Sequence, residues 1–427
     1  MRNPSILFLA TVSLVLLLID FYVFWALRWW VIQNGMSSKT FSRIYWSMTV
    51  VAFVIFYASA YYGRNFAGQP YSAYLGAFAF ILLISKLFCA VFLLITDFIR
   101  LVGFIQEKVM SKPAYMSSRS KFLHSIAAGM AILPFTTFWY GILRNPYRYK
   151  LHKVKIPISN LPKGLEGFKI VQVSDIHSGS FTFKEPIQNG IDMINQCQAD
   201  VICFTGDLVN TVANEIEPYI DMFKSIKAKH GVYSIMGNHD YGDYKRWDTP
   251  EEKQANAELF IDQHRKLGWK LLLNENRVIE HQGEKLAIIG VENYSASPRF
   301  AKYGDLNKAF MGVEESIPFK LLLSHDPSHW DDQVVKSFKN IDLTLSGHTH
   351  GFQFGIEIPG WIKWSPIEYA YKQWAGLYQE SNQYLYVNRG FGFLGYPGRV
   401  GILPEITEIT LTGVPLCSAL SAIIFVK

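Results

Sequence analysis

Cysteine is scarce in this chain, and repeats and low-complexity linkers are absent from it. The 427 residues include four cysteines, at positions 89, 197, 203 and 417, and no two of them form a CxxC pair. This usage argues against a disulfide framework and against a thiolate zinc site. Without internal repeats, a solenoid or repeat array is not expected.

Acidic residues are nearly missing from the first third of the chain. Residues 1–150 hold 14 basic and 3 acidic residues, whereas residues 151–427 hold 27 basic and 32 acidic ones. The overall net charge of +6 is therefore the sum of a basic, apolar part and a mildly acidic part. Such a sum does not indicate nucleic-acid binding, and no nucleic-acid partner is expected.

Long apolar runs fill that first third. Four stretches are apolar and long enough to cross the roughly 30 Å hydrocarbon layer of a bilayer, namely residues 5–27, 44–62, 73–97 and 122–143. The first stretch lacks a basic leader and a small-residue cleavage site, so it predicts an anchor rather than a signal peptide. We predict a multi-pass integral membrane protein, in a bacterial-type cytoplasmic membrane, with residues 1–150 as its transmembrane region.

Two features of the membrane part leave alternatives open. Basic loops after the first and third spans place the C-terminal part outside, whereas the basic cluster of residues 144–155 favours the opposite side. Lys86 lies inside the third span. Its ammonium could reach the headgroups, pair with Asp20 or Asp97, or mark a polar site, and the first two fit the usual behaviour of such lysines better.

From residue 151 the pattern changes to short apolar runs that alternate with helical patterns. Predicted strands, rich in β-branched and aromatic residues, are 168–174, 200–206, 231–237, 285–291, 319–325, 341–347 and 383–389. Helices are predicted at 186–197, 213–228 and 250–267. This alternation predicts an α/β domain over residues 151–412. The apolar tail, 413–427, is too short to span a bilayer and either lies on the membrane or covers a sheet edge.

Polar side chains follow five of the predicted strands directly. Open α/β sheets bind ligands at these carboxyl ends. The candidates are Asp175, His177, Asp207, Asn238, His239, Asp240, His325, His348 and His350. Each motif alone also fits a structural role, such as a hydrogen-bonded histidine or a turn. In the ordered set, seven possible oxygen and nitrogen ligands from five strand ends are enough for two metal ions. Because no cysteine takes part, hard to borderline divalent ions are favoured.

The ordered motifs resemble those of the calcineurin-like metallophosphoesterases, and of their membrane-associated YkuE-like and YaeI-like branch in particular. The blocks stand here as Asp175-Ile176-His177, Gly206-Asp207, Gly237-Asn238-His239-Asp240, His325 and Gly347-His348-Thr349-His350. The resemblance covers residues 165–412 and leaves out the membrane part. It implies a four-layer α/β/β/α sandwich with a dinuclear site at the strand ends.

The resemblance also implies roles for these residues. One metal ion would be held by Asp175, His177, Asp207 and His350. The second would be held by Asp207, Asn238, His325 and His348, so that Asp207 bridges the two ions. Manganese, iron and zinc are the candidate metals. His239 would protonate the leaving oxygen, and Asp240 would orient His239.

A phosphoester is the substrate that the resemblance implies, with the membrane as a second partner and the oligomeric state open. The leading expectation is hydrolysis of phosphodiester or pyrophosphate bonds in a lipid-linked substrate. A tethered hydrolase of soluble phosphoesters and a non-catalytic membrane sensor are the alternatives. Phe352 stands where the branch has a second glycine, which puts substrate approach to that loop in doubt. The aromatic segment 361–378 could form a wall for acyl chains or pack against a sheet.

Overall fold

The computed structural model describes residues 6–67, 70–110 and 117–414. The chain divides into two compact units, Met1–Leu143 with Gly395–Pro397 and Arg144–Leu394 with Gly398–Lys427. The division falls at Arg144, a few residues before the predicted end of the membrane part. Most of the predicted C-terminal tail lies outside the described residues.

Four long apolar helices form the first unit. They are α1 (Ile6–Gln33), α2 (Ser38–Ala67), α3 (Pro70–Met110) and α4 (Ser117–Arg144). Each contains a segment long and apolar enough to cross a membrane, in agreement with the four predicted spans. Large apolar side chains such as Leu18, Val54 and Leu94 face outward. A lipid environment accepts such faces, and helices satisfy their own backbone hydrogen bonds there.

The structure decides between the alternatives for Lys86, whose ammonium forms an ion pair with Asp20 of α1. The same ammonium donates a hydrogen bond to the Thr49 hydroxyl, at 2.8 Å. Asp97, the other predicted partner, instead lies 3.3 Å from Arg100. Both members of the Asp20–Lys86 pair are largely buried, which is the usual arrangement of charges within membrane helices.

Two six-stranded sheets and a short hairpin form the framework of the second unit. The strands are β1 (Lys150–Ile158), β2 (Lys169–Val173), β3 (Val201–Phe204), β4 (Val232–Ser234), β5 (Lys270–Leu271), β6 (Glu275–His281), β7 (Glu284–Gly290), β8 (Phe319–Leu323), β9 (Leu343–Ser346), β10 (Ile356–Ile358), β11 (Ile362–Trp364), β12 (Gly376–Glu380), β13 (Gln383–Val387) and β14 (Glu405–Gly413). One sheet has the order β1-β14-β2-β3-β4-β5, and the other β12-β13-β9-β8-β7-β6. Strands β2, β3 and β4 are parallel, as are β7, β8 and β9.

Helices cover the outer faces of both sheets. They are α5 (Lys184–Gln196), α6 (Ile220–Phe223), α7 (Pro250–Leu267), α8 (Leu306–Phe310) and α9 (Val335–Ser337). Helix α7 begins where the Thr249 side chain accepts the Glu252 N–H, and it ends at Gly268 in the left-handed conformation. A threonine just before a helix and a glycine just after it are common signals of its start and its end. The predicted range of this helix is confirmed.

The core lies in three layers of apolar side chains. Between the sheets, Ile170 and Cys203 pack in one cluster with Leu321 and Leu345. A second cluster joins the first sheet to α5, α6 and α7, and a third joins the other sheet to α8 and α9. The predicted four-layer α/β/β/α sandwich is therefore confirmed.

The seven predicted strands are all present, the other seven strands of the described residues were not predicted, and one predicted helix needs correction. The predicted helix at 213–228 is a 3-10 segment, Ala213–Tyr219, followed by the single turn of α6. Pro218 lies inside that segment and has no N–H to donate. The basic cluster at 144–155 includes the edge strand β1, which pairs in parallel with β14. Lysines on an exposed edge strand discourage pairing with other chains.

Candidate metal centre

Five parallel strands bring the predicted polar residues together at their carboxyl ends. In the first sheet, Asp175 and His177 follow β2, Asp207 follows β3 and Asn238 follows β4. In the second sheet, His325 follows β8, and His348 and His350 follow β9. The two sheets pack face to face, and these seven residues meet in two adjoining groups.

The first group joins residues from both sheets. Nε2 of His177 lies 3.0 Å from Nε2 of His350, which in turn lies 3.3 Å from Asp175 Oδ1. Nε2 of His177 also lies 3.5 Å from Asp207 Oδ2. All four side chains are buried. They are the four residues predicted to hold one metal ion.

The second group shares Asp207 with the first. Nε2 of His325 lies 3.2 Å from Asp207 Oδ2 and 3.2 Å from Asn238 Oδ1. Nδ1 of His348 lies 2.8 Å from Asn238 Oδ1 and 3.3 Å from His325 Nε2. One oxygen of Asp207 thus lies between the two groups, at the position expected of a bridging ligand.

These spacings fit coordination of metal ions. Donors about 2.1 Å from a shared ion lie roughly 3.0 to 3.4 Å apart in octahedral or tetrahedral geometry. The donors are imidazole nitrogens, carboxylate oxygens and one amide oxygen, a set that suits divalent ions such as manganese, iron and zinc. Asp175, His177 and His350, and separately Asp207, His325 and His348, offer donor atoms within 4.8 Å of one another.

The backbone at this site is held in an uncommon conformation. Five of the seven residues have a positive φ, namely Asp175 (53°), His177 (47°), Asp207 (60°), His348 (71°) and His350 (50°). Side-chain-bearing residues seldom adopt this left-handed region, and such strain concentrates at functional sites. The sandwich is needed to hold these loops in place, because none of the five residues prefers this conformation by itself.

Two glycines allow the loops to approach each other closely. A Cβ atom on Gly347 would lie 2.2 Å from Asp175 Oδ2, and one on Gly237 would lie 2.2 Å from Asp207 Oδ1. Both distances are far below van der Waals contact. Any side chain at either position would therefore displace a candidate ligand.

Hydrogen bonds on the far side of the ligands orient them. Nδ1 of His325 donates to the Thr205 carbonyl at 2.7 Å, which directs Nε2 toward Asp207 and Asn238. The Asn238 amide nitrogen donates to the Tyr244 hydroxyl at 2.8 Å, which turns the amide oxygen toward the histidines. Such outer partners fix the tautomer and direction of metal ligands.

Electrostatics give the site one firmly ionised carboxylate and several neutral imidazoles. Burial lowers the pKa of His177 to about 3 and that of His348 to about 4. Burial raises the pKa of Asp207, but the neighbouring His325 and His239 outweigh this and hold it well below its usual value. For His325, burial lowers the pKa, yet Asp207 and Asp175 together raise it to about 10.

His239 is held differently from the prediction. Its Nδ1 donates to the Asn210 carbonyl at 2.6 Å, and its N–H donates to Asp207 Oδ1 at 2.9 Å. The expected contact between Asp240 and the His239 ring is not formed, so Asp240 does not orient this ring. Asp240 instead accepts the backbone N–H groups of Gly237 and Asp207, both at 2.8 Å. It stabilises the two loops that present the ligands.

Three residues near the centre were not predicted from the sequence: Arg399, Tyr371 and Asp326. Arg399 is fully buried and donates to the carbonyls of Arg389 at 2.8 Å and Gly390 at 3.1 Å. Burial lowers the pKa of His350 well below its usual value, and the Arg399 charge lowers it further. The Tyr371 hydroxyl lies 2.8 Å from His348 Nε2.

The same Tyr371 hydroxyl donates to Asp326, with 3.2 Å between Oη and Oδ2. Asp326 directly follows the candidate ligand His325 in the sequence, but no spacing indicated a contact with His348. Arg399 and Tyr371 lie still further from the ligand motifs along the chain. Their approach to the centre depends on how the loops fold.

Two groups of buried carboxylate and imidazole donors, at the strand ends of an α/β/β/α sandwich, define the class of metal-dependent phosphoesterases. Comparison with known proteins agrees with this class. Residues 168–352 match the family model of calcineurin-like phosphoesterases. Residues 2–146 match the model described as a probable calcineurin-like phosphoesterase, transmembrane domain. The chain thus carries a calcineurin-like phosphoesterase domain that follows a transmembrane domain of the type found in such phosphoesterases.

Individual relatives are similar over much of the chain. A transmembrane protein with metallophosphoesterase domain from Danio rerio is 29% identical, over 64% of this chain and 59% of its own length. The uncharacterized metallophosphoesterase YkuE of Bacillus subtilis is 29% identical, over 69% of this chain and 97% of its own. A Bos taurus transmembrane protein with metallophosphoesterase domain is 26% identical, over 87% and 81%. This chain thus spans less than two thirds of the zebrafish protein.

Proposed function

We propose that this protein hydrolyses a phosphodiester or pyrophosphate bond in a lipid-linked substrate, with two divalent metal ions bound side by side. The observation that carries the proposal is the position of Asp207. Its Oδ2 lies 3.5 Å from His177 Nε2 and 3.2 Å from His325 Nε2, so one carboxylate oxygen serves both donor groups. A site for one metal ion would not need a carboxylate oxygen that lies close to both donor groups.

The chemistry follows from the donor arrangement. When bound, a pair of divalent ions lowers the pKa of water to supply hydroxide near neutral pH and neutralises charge on the phosphoryl oxygens. Asp207 contributes a negative charge that both ion positions share. His177 and His348 are neutral at this pH, so their lone pairs are free for coordination.

His239 is proposed to protonate the leaving oxygen. Its Nδ1 is engaged by the Asn210 carbonyl, so Nε2 is the nitrogen available for proton transfer. The ring is half-buried and lies 5.0 Å from the His177 ring, centroid to centroid. It is therefore beside a candidate ligand while still open to substrate. General acid catalysis of this kind contributes about 10² to 10⁴ in rate.

Exposed aromatic side chains in the segment that follows the candidate ligands His348 and His350 support a lipid-linked substrate. Phe352, two residues after His350, is 58% exposed, and Trp361, at the turn of the β10–β11 hairpin, is 77% exposed. Tyr369 is 81% exposed, whereas Trp374 is buried against Ile402. The aromatic segment therefore divides, with Trp374 in the core and Trp361 and Tyr369 available for acyl chains. Aromatic residues of this type favour the membrane interface.

The test uses the full-length protein purified in detergent with Mn²⁺. Asp207→Asn is expected to lower kcat/KM on a soluble diester by more than about 100-fold, because loss of a direct ligand should exceed the 10- to 100-fold cost of losing an outer partner. Asp262→Asn, on the half-exposed surface of α7, is the matched control and should keep wild-type activity. Circular dichroism checks that both variants are folded.

The lipid part of the proposal has its own measurement. A phosphodiester with an acyl-chain tail in mixed micelles is expected to have a kcat/KM at least about tenfold above that of its short-chain analogue, since each buried CH₂ contributes about 0.8 kcal/mol. Wild-type activity in Asp207→Asn would contradict a mechanism in which Asp207 is a ligand of both metal ions. Equal kcat/KM values for the two substrates would leave a hydrolase of soluble phosphoesters, tethered only for location.

A further inference from the structure

A polar cavity of about 440 Å³ opens beside the candidate metal centre. Asn238, a candidate ligand, forms part of its wall, together with Tyr244, Arg299, Phe300 and Tyr303. Arg299 and Phe300 lie in the loop that follows β7, in a part of the sequence that carries none of the metal motifs. The cavity therefore adds a surface that the metal chemistry itself does not require.

Contacts place this cavity on the side of His239. The Tyr244 ring lies 4.4 Å from the His239 ring, and the Tyr244 hydroxyl accepts from the Asn238 amide at 2.8 Å. Across the cavity, the Phe300 ring lies 4.9 Å from the His348 ring. His239 is the proposed acid for the leaving oxygen. Through Tyr244 and Asn238, the cavity wall adjoins this proposed acid.

The charges in the cavity favour the binding of an anion. The Asp243 carboxylate is compensated, because it lies 2.6 Å from Lys253 Nζ and accepts from the Tyr303 hydroxyl at 2.8 Å. Arg299 is exposed, and no carboxylate of the described ranges forms an ion pair with it. Its guanidinium lies 5.7 Å from the Phe300 ring centre. An arginine without a carboxylate partner in a polar cavity is suited to bind phosphate through two parallel hydrogen bonds.

We propose that Arg299 binds a phosphate carried by the leaving group, so that the preferred substrate is a pyrophosphate diester. This inference rests on the proposed function and narrows its substrate class. In the reaction, hydroxide from water attacks one phosphorus, and the bond from that phosphorus to the bridging oxygen breaks. The bridging oxygen leaves on the second phosphate, next to Arg299, and takes a proton from His239. One water and one pyrophosphate diester yield two phosphate monoesters.

The test compares two substrates that release the same nucleotide. Both the symmetrical dinucleoside pyrophosphate of thymidine and the p-nitrophenyl ester of thymidylate yield thymidylate, but only the first has a phosphate in its leaving group. Full-length protein in detergent with Mn²⁺ is assayed on each. Arg299→Gln is expected to lower the ratio of kcat/KM for pyrophosphate to kcat/KM for ester at least about 30-fold, as loss of a charge-assisted hydrogen-bond pair does.

Lys302 supplies a matched control from the same loop. Its ammonium lies 4.6 Å from the Tyr294 ring centre, and Lys302 is not part of the cavity wall. Lys302→Gln removes the same charge and should leave the ratio within about threefold of wild type, because exposed charges outside a site have small effects. Arg299→Lys, which keeps the charge but loses the planar fork, should fall between wild type and Arg299→Gln.

The outcomes separate this inference from the function on which it rests. A wild-type protein that cleaves neither substrate with Mn²⁺ overturns the proposed function and the inference together. An active wild type whose substrate ratio is unchanged in Arg299→Gln overturns the inference alone. An equal fall of the ratio in Lys302→Gln also overturns it, since the effect would then reflect general charge rather than binding by Arg299.

Discussion

The Asp20–Lys86 pair of the helical unit and the carboxylates of the candidate metal centre are all buried, but their charges are compensated differently. In the helical unit, Asp20 pairs with Lys86, and the Tyr45 hydroxyl donates to Asp20 Oδ1 at 3.1 Å. In the sandwich, Asp175 and Asp207 are surrounded mainly by histidines. Asp20 thus lies beside a lysine ammonium, whereas Asp175 and Asp207 lie beside imidazoles, which can be neutral.

The difference separates a structural charge pair from a metal centre. A lysine cannot act as a lone-pair donor while it is protonated, so the Asp20–Lys86 pair is complete within the protein. Imidazoles such as those of His177 and His348, whose pKa values are lowered by burial, keep a lone pair that can bind a divalent cation beside the carboxylates. A buried charge is costly unless it is paired with an opposite charge or coordinates a metal.

The largest predicted effect lies in the sandwich. His239→Gln is expected to lower kcat about 10² to 10⁴-fold on an alkyl phosphodiester, because the leaving alkoxide then lacks its proton donor. The loss should be much smaller on a p-nitrophenyl diester, whose leaving group needs no protonation. Rates on the two diesters, measured with saturating Mn²⁺, check the assignment.

A control for this variant is His152→Gln, a histidine on the edge strand β1 outside the metal centre. It should keep the activity of the wild type on both diesters. Equal losses for His239→Gln on the alkyl and the p-nitrophenyl substrate would argue that His239 positions the centre rather than donates a proton.

The second prediction concerns the helical unit. Lys86→Met leaves Asp20 buried without its cation and is expected to destabilise the unit by about 3 to 5 kcal/mol. Adding Asp20→Leu should recover most of that loss, because the pair is then replaced by apolar groups. Thermal unfolding of the detergent-solubilised protein measures both variants, and activity per folded molecule should stay at the wild-type level.

The exposed pair of Asp97 and Arg100 provides the comparison for that experiment. Asp97→Asn should change the free energy of unfolding by less than about 1 kcal/mol, since surface ion pairs contribute little. If Lys86→Met were as mild as Asp97→Asn, the Asp20–Lys86 pair would not be the structural element inferred from its burial.

Much of the fold was predictable because its signals are local. The seven predicted strands are short apolar runs bounded by Gly, Asp or Asn, and the four spanning helices are long apolar runs. Helix α7 carries its own start and stop residues, Thr249 and Gly268. Seven strands were not predicted, among them β14 and the edge strand β1. The burial of β1 alternates, and its lysines resemble a surface charge cluster.

The candidate ligands could be proposed from their order, but their supporting residues could not. Each ligand follows a strand, and the strand ends meet when the sheets pack. Arg399 and Tyr371 reach the centre, and Arg299 reaches the neighbouring cavity, through loops whose paths depend on tertiary packing. The role expected for Asp240 was wrong for the same reason, since adjacency to His239 along the chain does not determine which groups its carboxylate meets.

The metal content of the folded protein tests the central claim most directly. Full-length protein loaded with Mn²⁺ in detergent and then freed of excess ions by gel filtration can be measured by inductively coupled plasma mass spectrometry. The shared position of Asp207 predicts two ions per chain in the wild type and a reduced content in Asp207→Asn. One ion or fewer per chain in a fully active wild-type preparation would contradict the dinuclear account.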